Sequence, residues 1–167
     1  MKLRVETLSR RHDLTAFSSG NLELDTWLHQ HSLQAIGHGT RTYVVMDTGR
    51  AIVGYFSIIP HVLDRDEAPK KLARGAPRQI PGILLAKLAL SESLQGQGLG
   101  AELLICALAT ILDAARVAGG KVVIVDAIDP AAAGFYGHHD FEPLPNRAAR
   151  LVLKLSTIAK ALNADWP

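Results

Sequence analysis

Gln95-Gly96-Gln97-Gly98-Leu99-Gly100 stands between two apolar runs, Ile80 to Leu90 and Ala101 to Val117. The first run reads as a strand buried on both faces. The second reads as a long helix, broken mainly by Glu102 and Thr110 and buried on more than one side. Three glycines at a strand-to-helix turn permit positive φ and let a ligand approach the backbone closely. The free amides of a helix start, with the helix dipole, suit a phosphate. A phosphate-loop NTPase needs Lys and then Ser or Thr after the last glycine, and Ala101-Glu102 follows instead. Gly96, Gly98 and Ala101 also satisfy G-x-G-x-x-A, with Asp126 at the end of the next strand. That dinucleotide fingerprint follows its strand directly and opens a domain, whereas here the polar segment Ser91 to Gln95 intervenes and several elements come first. A tight turn without a ligand is the plain alternative on spacing alone.

Working outward, Leu3, Val5 and Thr7 alternate with charge and predict a first strand. Ser18-Ser19-Gly20-Asn21 is a turn-and-cap cluster. After it, Leu24, Trp27, Leu28, His31 and Ala35 predict one amphipathic helix ending near Gly37 or Gly39, with His31 packed in the core. Thr40 to Met46 and Ala51 to Ile59 form a hairpin through Asp47-Thr48-Gly49-Arg50. Residues 61–78, with Pro69, Gly75 and Pro77, read as a long polar loop with at most one helical turn. Lys121 to Val125 is a strand. Asp129-Pro130 supplies an N-cap and an N1 proline for a short helix through Ala131–Gly137. Phe141 starts another strand, Pro145-Asn146 turns, and Ala149 to Leu155 returns. The last dozen residues form a weak helical tail. The fold class is therefore α/β (α+β), a mixed sheet with helices, in a domain over residues 1–155 and a tail over 156–167.

Composition bounds the function. The chain has 167 residues, 48% hydrophobic and 20% charged, enough for one packed core and against disorder. A net charge of +2 is too mild for a dedicated nucleic-acid binder, though a local basic groove is compatible with it. A lone cysteine, Cys106, forms neither an internal disulfide nor a multi-thiolate metal site. With no apolar leader and no run long enough to span a membrane, the expected location is the cytoplasm.

A second motif lies downstream of the glycine turn, at Ala132-x-x-Phe135-Tyr136-x-x-x-Asp140-Phe141. Together with Gln95-x-x-Gly98-x-Gly100, it resembles the paired motifs of the GNAT superfamily of N-acetyltransferases, and the element order agrees. Phe17-Ser18-Ser19-Gly20, Leu24-Asp25-x-Trp27-Leu28 and Gly39 to Val44 narrow the resemblance. So do Val53-Gly54-Tyr55-Phe56 and Ile83 to Ala89. These stretches are similar to the acetyltransferase toxins of bacterial toxin–antitoxin pairs, over residues 1 to about 155. One departure is Asp140, where those proteins usually have glycine; Asp tolerates the left-handed region better than most residues.

The resemblance implies a GNAT fold, a mostly antiparallel sheet splayed at the acetyl-CoA strand, and acetyl-CoA as co-substrate without a metal. Backbone groups of Leu88, Ala89 and Leu90 would pair with the pantetheine arm. Gln95, Gly96, Gln97, Gly98, Leu99, Gly100 and Ala101 would hold the pyrophosphate, with Phe135 also at the cofactor. Tyr136, a neutral phenol at neutral pH, would protonate the leaving thiolate. The implied reaction is acetylation of the α-amine of aminoacyl-tRNA, which blocks translation. No carboxylate or histidine stands out as a required base, consistent with an α-amine whose pKa starts near 7.7–8.0 and is lowered further by esterification of its carboxyl. The implied partners are aminoacyl-tRNA and a small ribbon-helix-helix antitoxin, with promoter DNA bound only by the antitoxin complex. A protein amine or small-molecule amine as acceptor is the alternative, and a non-enzymatic binding module the third reading. Monomer and homodimer are both open.

Arg41, Lys70, Lys71, Arg74, Arg78 and Lys87 are candidates for tRNA phosphate contacts, against the plainer reading of a solvated face. Cys106 reads as an inert buried thiol. His138 and His139 read as exposed loop residues rather than metal ligands, because adjacent side chains point apart.

Overall fold

The computed structural model describes residues 2–167. Its seven strands form one sheet in the order β1-β2-β3-β4-β5-β7-β6. The strands are β1 (Arg4–Thr7), β2 (Arg41–Met46), β3 (Ile52–Asp64), β4 (Gln79–Leu90), β5 (Val122–Asp126), β6 (Glu142–Leu144) and β7 (Arg147–Lys154). The helices are α1 (Leu22–Gln30), α2 (Ser32–Ile36), α3 (Lys70–Ala73), α4 (Leu99–Ala118), α5 (Pro130–His138) and α6 (Leu155–Ala161). β4 and β5 run parallel, while the β1–β2, β2–β3, β5–β7 and β6–β7 pairs are antiparallel. This is the mixed, mostly antiparallel sheet expected from sequence, and it excludes the all-parallel dinucleotide fold. The β4–β5 ladder runs from Gly82↔Val122 to Leu85↔Val125 and stops there, although β4 continues to Leu90. At its start the two strands press together: a Cβ on Gly82 would lie 2.8 Å from the Val122 carbonyl oxygen.

Two compact units divide the chain, one of residues 1–59 and 86–107, the other of residues 60–85 and 108–167. The first has its core around Leu8, Phe17, Leu28, Val44, Met46, Tyr55 and Ala89. Tyr55 is its hub. Phe17 meets its ring edge-on, Trp27 stacks on it at 6.0 Å, and its hydroxyl donates to the Leu24 carbonyl at 2.7 Å. The second core gathers Leu63, Leu72, Ile80, Val122, Ile124, Leu144 and Val152.

Four sequence expectations are corrected. The single helix from Leu24 to Ala35 is two helices, broken at His31. Buried Ser32 directs its hydroxyl back to the Leu28 carbonyl at 2.6 Å, a local bond that competes with a regular helix. His31 itself is exposed rather than packed. Residues 61–64 are strand, not loop, because β3 runs on through Pro60: Leu63 faces the core while Pro60 and Val62 point to solvent. A 3-10 turn, Arg65–Glu67, and α3 fill the rest of that segment. The tail contains a packed helix, α6, with Leu155, Ile158 and Ala159 buried.

Candidate functional site

In the first unit, β4 ends at Leu90, a 3-10 turn covers Glu92–Leu94, and the glycine turn delivers the chain into α4 at Leu99. Gly96 and Gly98 both take φ of +79°. A Cβ on either would meet nothing within 4 Å. Glycine is therefore required there by backbone conformation, and the space where a Cβ would stand is open. Gln95 fastens the turn: its Nε2 donates to the Leu90 carbonyl at 2.9 Å and to the Ser19 carbonyl at 2.7 Å. Ser19 is fixed in turn by Asp25, which accepts from its amide at 2.9 Å and its hydroxyl at 2.6 Å. The Glu92 amide donates to the Ser18 carbonyl at 2.8 Å. The Ser18–Asn21 cluster is thus both the cap of α1 and the buttress of the glycine turn, a second role that its sequence did not announce. Leu88, Leu90 and Ala101 are partly buried and Ala89 is buried, so β4 keeps a half-open edge at this end.

In the second unit, Asp129 accepts from the Ala132 amide at 2.7 Å and Pro130 opens α5, as the sequence predicts. The helix ends in a left-handed residue, Asp140 at φ +72°, and both the His139 and Phe141 amides return to the Tyr136 carbonyl. Asp tolerates this region better than most residues, so the helix can end here without glycine. Tyr136 is 8% exposed, with Phe135 and Phe141 each edge-on to its ring at 5.4 Å. Burial pushes its phenol up to about 12, so it stays protonated throughout the neutral range. Its hydroxyl makes no hydrogen bond among the described residues, which leaves its proton available for donation. Phe135 is half-buried, between Tyr136 and His139.

The basic candidates divide between the units. Lys70, Lys71, Arg74 and Arg78 are exposed along one segment of the second unit, on and after α3, whose Leu72 is buried beneath them. In the first unit, Lys87 lies over the Trp27 ring at 5.2 Å. Arg41 there turns back on the end of α2, with Nη1 3.3 Å from the Ile36 carbonyl. His138 ends α5 and is exposed, and His139 packs its ring against Phe135. Burial raises the Cys106 thiol, the opposite of an activated nucleophile. No group of three metal-ligating side chains occurs among the described residues.

Sequence reasoning missed one polar cluster in the second unit. Arg150 grips the Asp126 carboxylate with two bonds of 2.7 Å and reaches His61 at 2.9 Å. The signal was available: in Arg147-Ala148-Ala149-Arg150-Leu151-Val152, alternation puts Arg150 on the same face as Val152, toward the core. The Arg150 hydrogen bonds hold Asp126 below the ordinary carboxylate range and make it a poor base.

No protein-family model matches the chain. The sequence is 35% identical over 159 residues, 95% of each chain, to the tRNA-acetylating toxin of Mycobacterium tuberculosis. The fold matches the structure of AtaT complexed with acetyl-methionyl-tRNAfMet, with a TM-score of 0.85 and 27% identity over 96% of this chain and 99% of that one. It also matches an AtaT toxin, with one tyrosine mutated to phenylalanine, bound to the C-terminus of the antitoxin AtaR and acetyl-CoA. There the TM-score is 0.80 and the identity 26%, over 96% and 98% of the two chains.

Proposed function

We propose, for a chain that belongs to the family of tRNA-acetylating toxins, that it transfers the acetyl group of acetyl-CoA to the α-amine of an aminoacyl-tRNA. The observation that carries this reading is the glycine turn: two glycines at φ +79° with open space before them, clamped by Gln95 at the head of a twenty-residue helix. Amides so arranged suit the pyrophosphate of the cofactor. Leu88, Ala89 and Leu90 offer backbone groups beyond the point where β4 leaves β5, suited to the pantetheine arm as an added strand would be.

The chemistry follows from what the residues hold. The neutral amine attacks the thioester carbonyl, the C–N bond forms, and the C–S bond breaks with its electron pair on sulfur. Tyr136, buried and protonated, gives its proton to that thiolate. The nitrogen loses its own proton to solvent, and the Tyr136 phenolate takes one back from solvent. An α-amine starts near 7.7–8.0 and esterification of its carboxyl lowers it further, so the amine of an aminoacyl-tRNA is largely neutral without a protein base, and Asp126, held ionised by Arg150, supplies none. The toxin works where charged tRNA is found, in the cytoplasm. A small antitoxin keeps it in check, as the C-terminus of AtaR binds the AtaT variant.

The test is incubation of the purified protein with labelled acetyl-CoA and, separately, total charged tRNA, uncharged tRNA and a mixture of peptides and small amines. Label should enter charged tRNA and be released with the amino acid on mild alkaline hydrolysis. Transfer to peptides or small amines with none to charged tRNA overturns the reading in favour of the alternative acceptor.

A further inference from the structure

Arg150 is 8% exposed, on a strand whose inward positions are otherwise apolar. Its guanidinium is spoken for: Nε donates to Asp126 Oδ1, Nη2 donates to Asp126 Oδ2, and Nη1 lies 2.9 Å from His61 Nε2. This arrangement has one protonation state. A guanidinium only donates, so His61 Nε2 must present its lone pair, the ring is neutral, and its one proton sits on Nδ1. Burial and the Arg150 charge both lower the pKa of the imidazole and keep it neutral. The charged groups around it are Arg150, Asp126, Arg147 and Glu67. His61 Nδ1 has no hydrogen-bond partner among the described residues. The half-buried ring thus keeps its N–H on Nδ1, the nitrogen that Arg150 does not engage.

The location bears on what it meets. Asp126 is the last residue of β5, one step past the end of the parallel β4–β5 ladder. Beyond Leu85 and Val125 the two parallel strands no longer pair. From Asp126 the chain passes through Ala127 and Ile128 to Asp129, the cap of the helix that carries Tyr136. His61, Asp126, Arg150 and Tyr136 all belong to one compact unit.

We propose that His61 binds the acceptor, its Nδ1–H donating a hydrogen bond to an oxygen of the aminoacyl end of charged tRNA, and that Arg150 is a positioning residue that fixes this tautomer. The proposal rests on the reading of the protein as an acetylase of charged tRNA. His61 has no part in proton transfer, since accepting a proton at Nε2 would break its bond to Arg150 and set two cations side by side. Its contribution is orientation of the amine-bearing substrate.

Two measurements test it. In steady-state acetylation of charged tRNA, His61→Phe should raise KM for the tRNA by about 3- to 10-fold, the worth of one hydrogen bond. KM for acetyl-CoA should stay unchanged, and His61→Gln, whose amide can donate, should recover part of the loss. An unchanged KM for tRNA in His61→Phe overturns the proposal. The second measurement uses the wild-type protein and needs no variant to fold. Nitrogen-15 NMR of labelled histidine should report His61 as the Nδ1–H tautomer, and its Nδ1–H signal should move on saturation with a 3′-aminoacyl-amide of adenosine. The same spectrum of Arg150→Met should show a mixture of tautomers. A wild-type ring protonated on Nε2, or a signal indifferent to the probe, overturns the proposal. Should the wild type fail to acetylate charged tRNA at all, the underlying reading falls and takes this one with it. Normal acetylation with an indifferent His61 removes only this one.

Discussion

Tyr136 is held by two aromatic edges and by burial, while its hydroxyl is bound to none of the described residues. Replacing it with phenylalanine keeps the packing and removes only the hydroxyl that carries the proton. Single-turnover acetylation by Tyr136→Phe should slow by about 10²–10⁴-fold, the usual worth of a general acid, with acetyl-CoA affinity nearly unchanged. Wild-type turnover in that variant would return Tyr136 to a packing role. Its pKa, pushed up to about 12, makes a second expectation about pH. The rate should rise as the ester-bound amine loses its proton, below the 7.7–8.0 of a free α-amine, and then stay level, because the phenol does not ionise until far higher. A falling limb below pH 10 that vanishes in Tyr136→Phe would contradict the raised value. His61 and Asp126 act on stability instead. Both have pKa values lowered in the folded state, so each binds its proton more readily when unfolded. Acidification below about pH 6.5 for the histidine, and below about pH 4 for the carboxylate, therefore draws stability away.

At the scale of elements, α5 is where sequence and structure agree most closely, since Asp129 and Pro130 act locally and need no distant partner to be read. Asp129→Ala should cost about 1 kcal/mol, typical of a lost N-cap, measured by urea denaturation with an unchanged m-value. A cost near zero would mean that α5 is held by its packing alone. The glycine turn and α4 were equally legible, because conformational demand and apolar periodicity are both written in adjacent residues. The extension of β3 was not. Pro60 and His61 look like loop chemistry, and only the burial of Leu63 in a core built from Ile80, Val122 and Val152 makes the segment a strand. His31 departs from the expectation for a related reason: the helical stripe is present, but the backbone leaves the helix at His31 and the Ser32 hydroxyl takes up the Leu28 carbonyl beyond it. The Arg150 cluster draws on β3, β5 and β7, and no window of sequence contains all three.

For the molecule as a whole, ligand binding and charge give the broadest readouts. Acetyl-CoA at a hundredfold excess over its Kd should stabilise the protein by about 2.7 kcal/mol. For a chain of this length that is a rise in Tm of about 5–11 °C. Gly98→Val, strained at φ +79° and with a side chain in the space that glycine leaves open, should lose most of that rise. A full rise in the variant would detach the glycine turn from the cofactor. The net charge of +2 is small, so tRNA affinity must come from local clusters. Replacing Lys70, Lys71, Arg74 and Arg78 with alanine should flatten the log–log salt dependence of tRNA binding by up to about 0.9 for each phosphate left without its cation. An unchanged slope would make this segment a solvated face. The divisions between the two compact units fall inside β3, β4 and α4 rather than at linkers. As the chain leaves the ribosome, residues 1–59 therefore wait for residues 86–107 before their unit is complete, and residues 60–85 wait for the stretch that follows 107. Folding during synthesis cannot finish one unit ahead of the other's beginning. A ribosome that stalls before residue 107 has emerged therefore leaves both units unfinished at once.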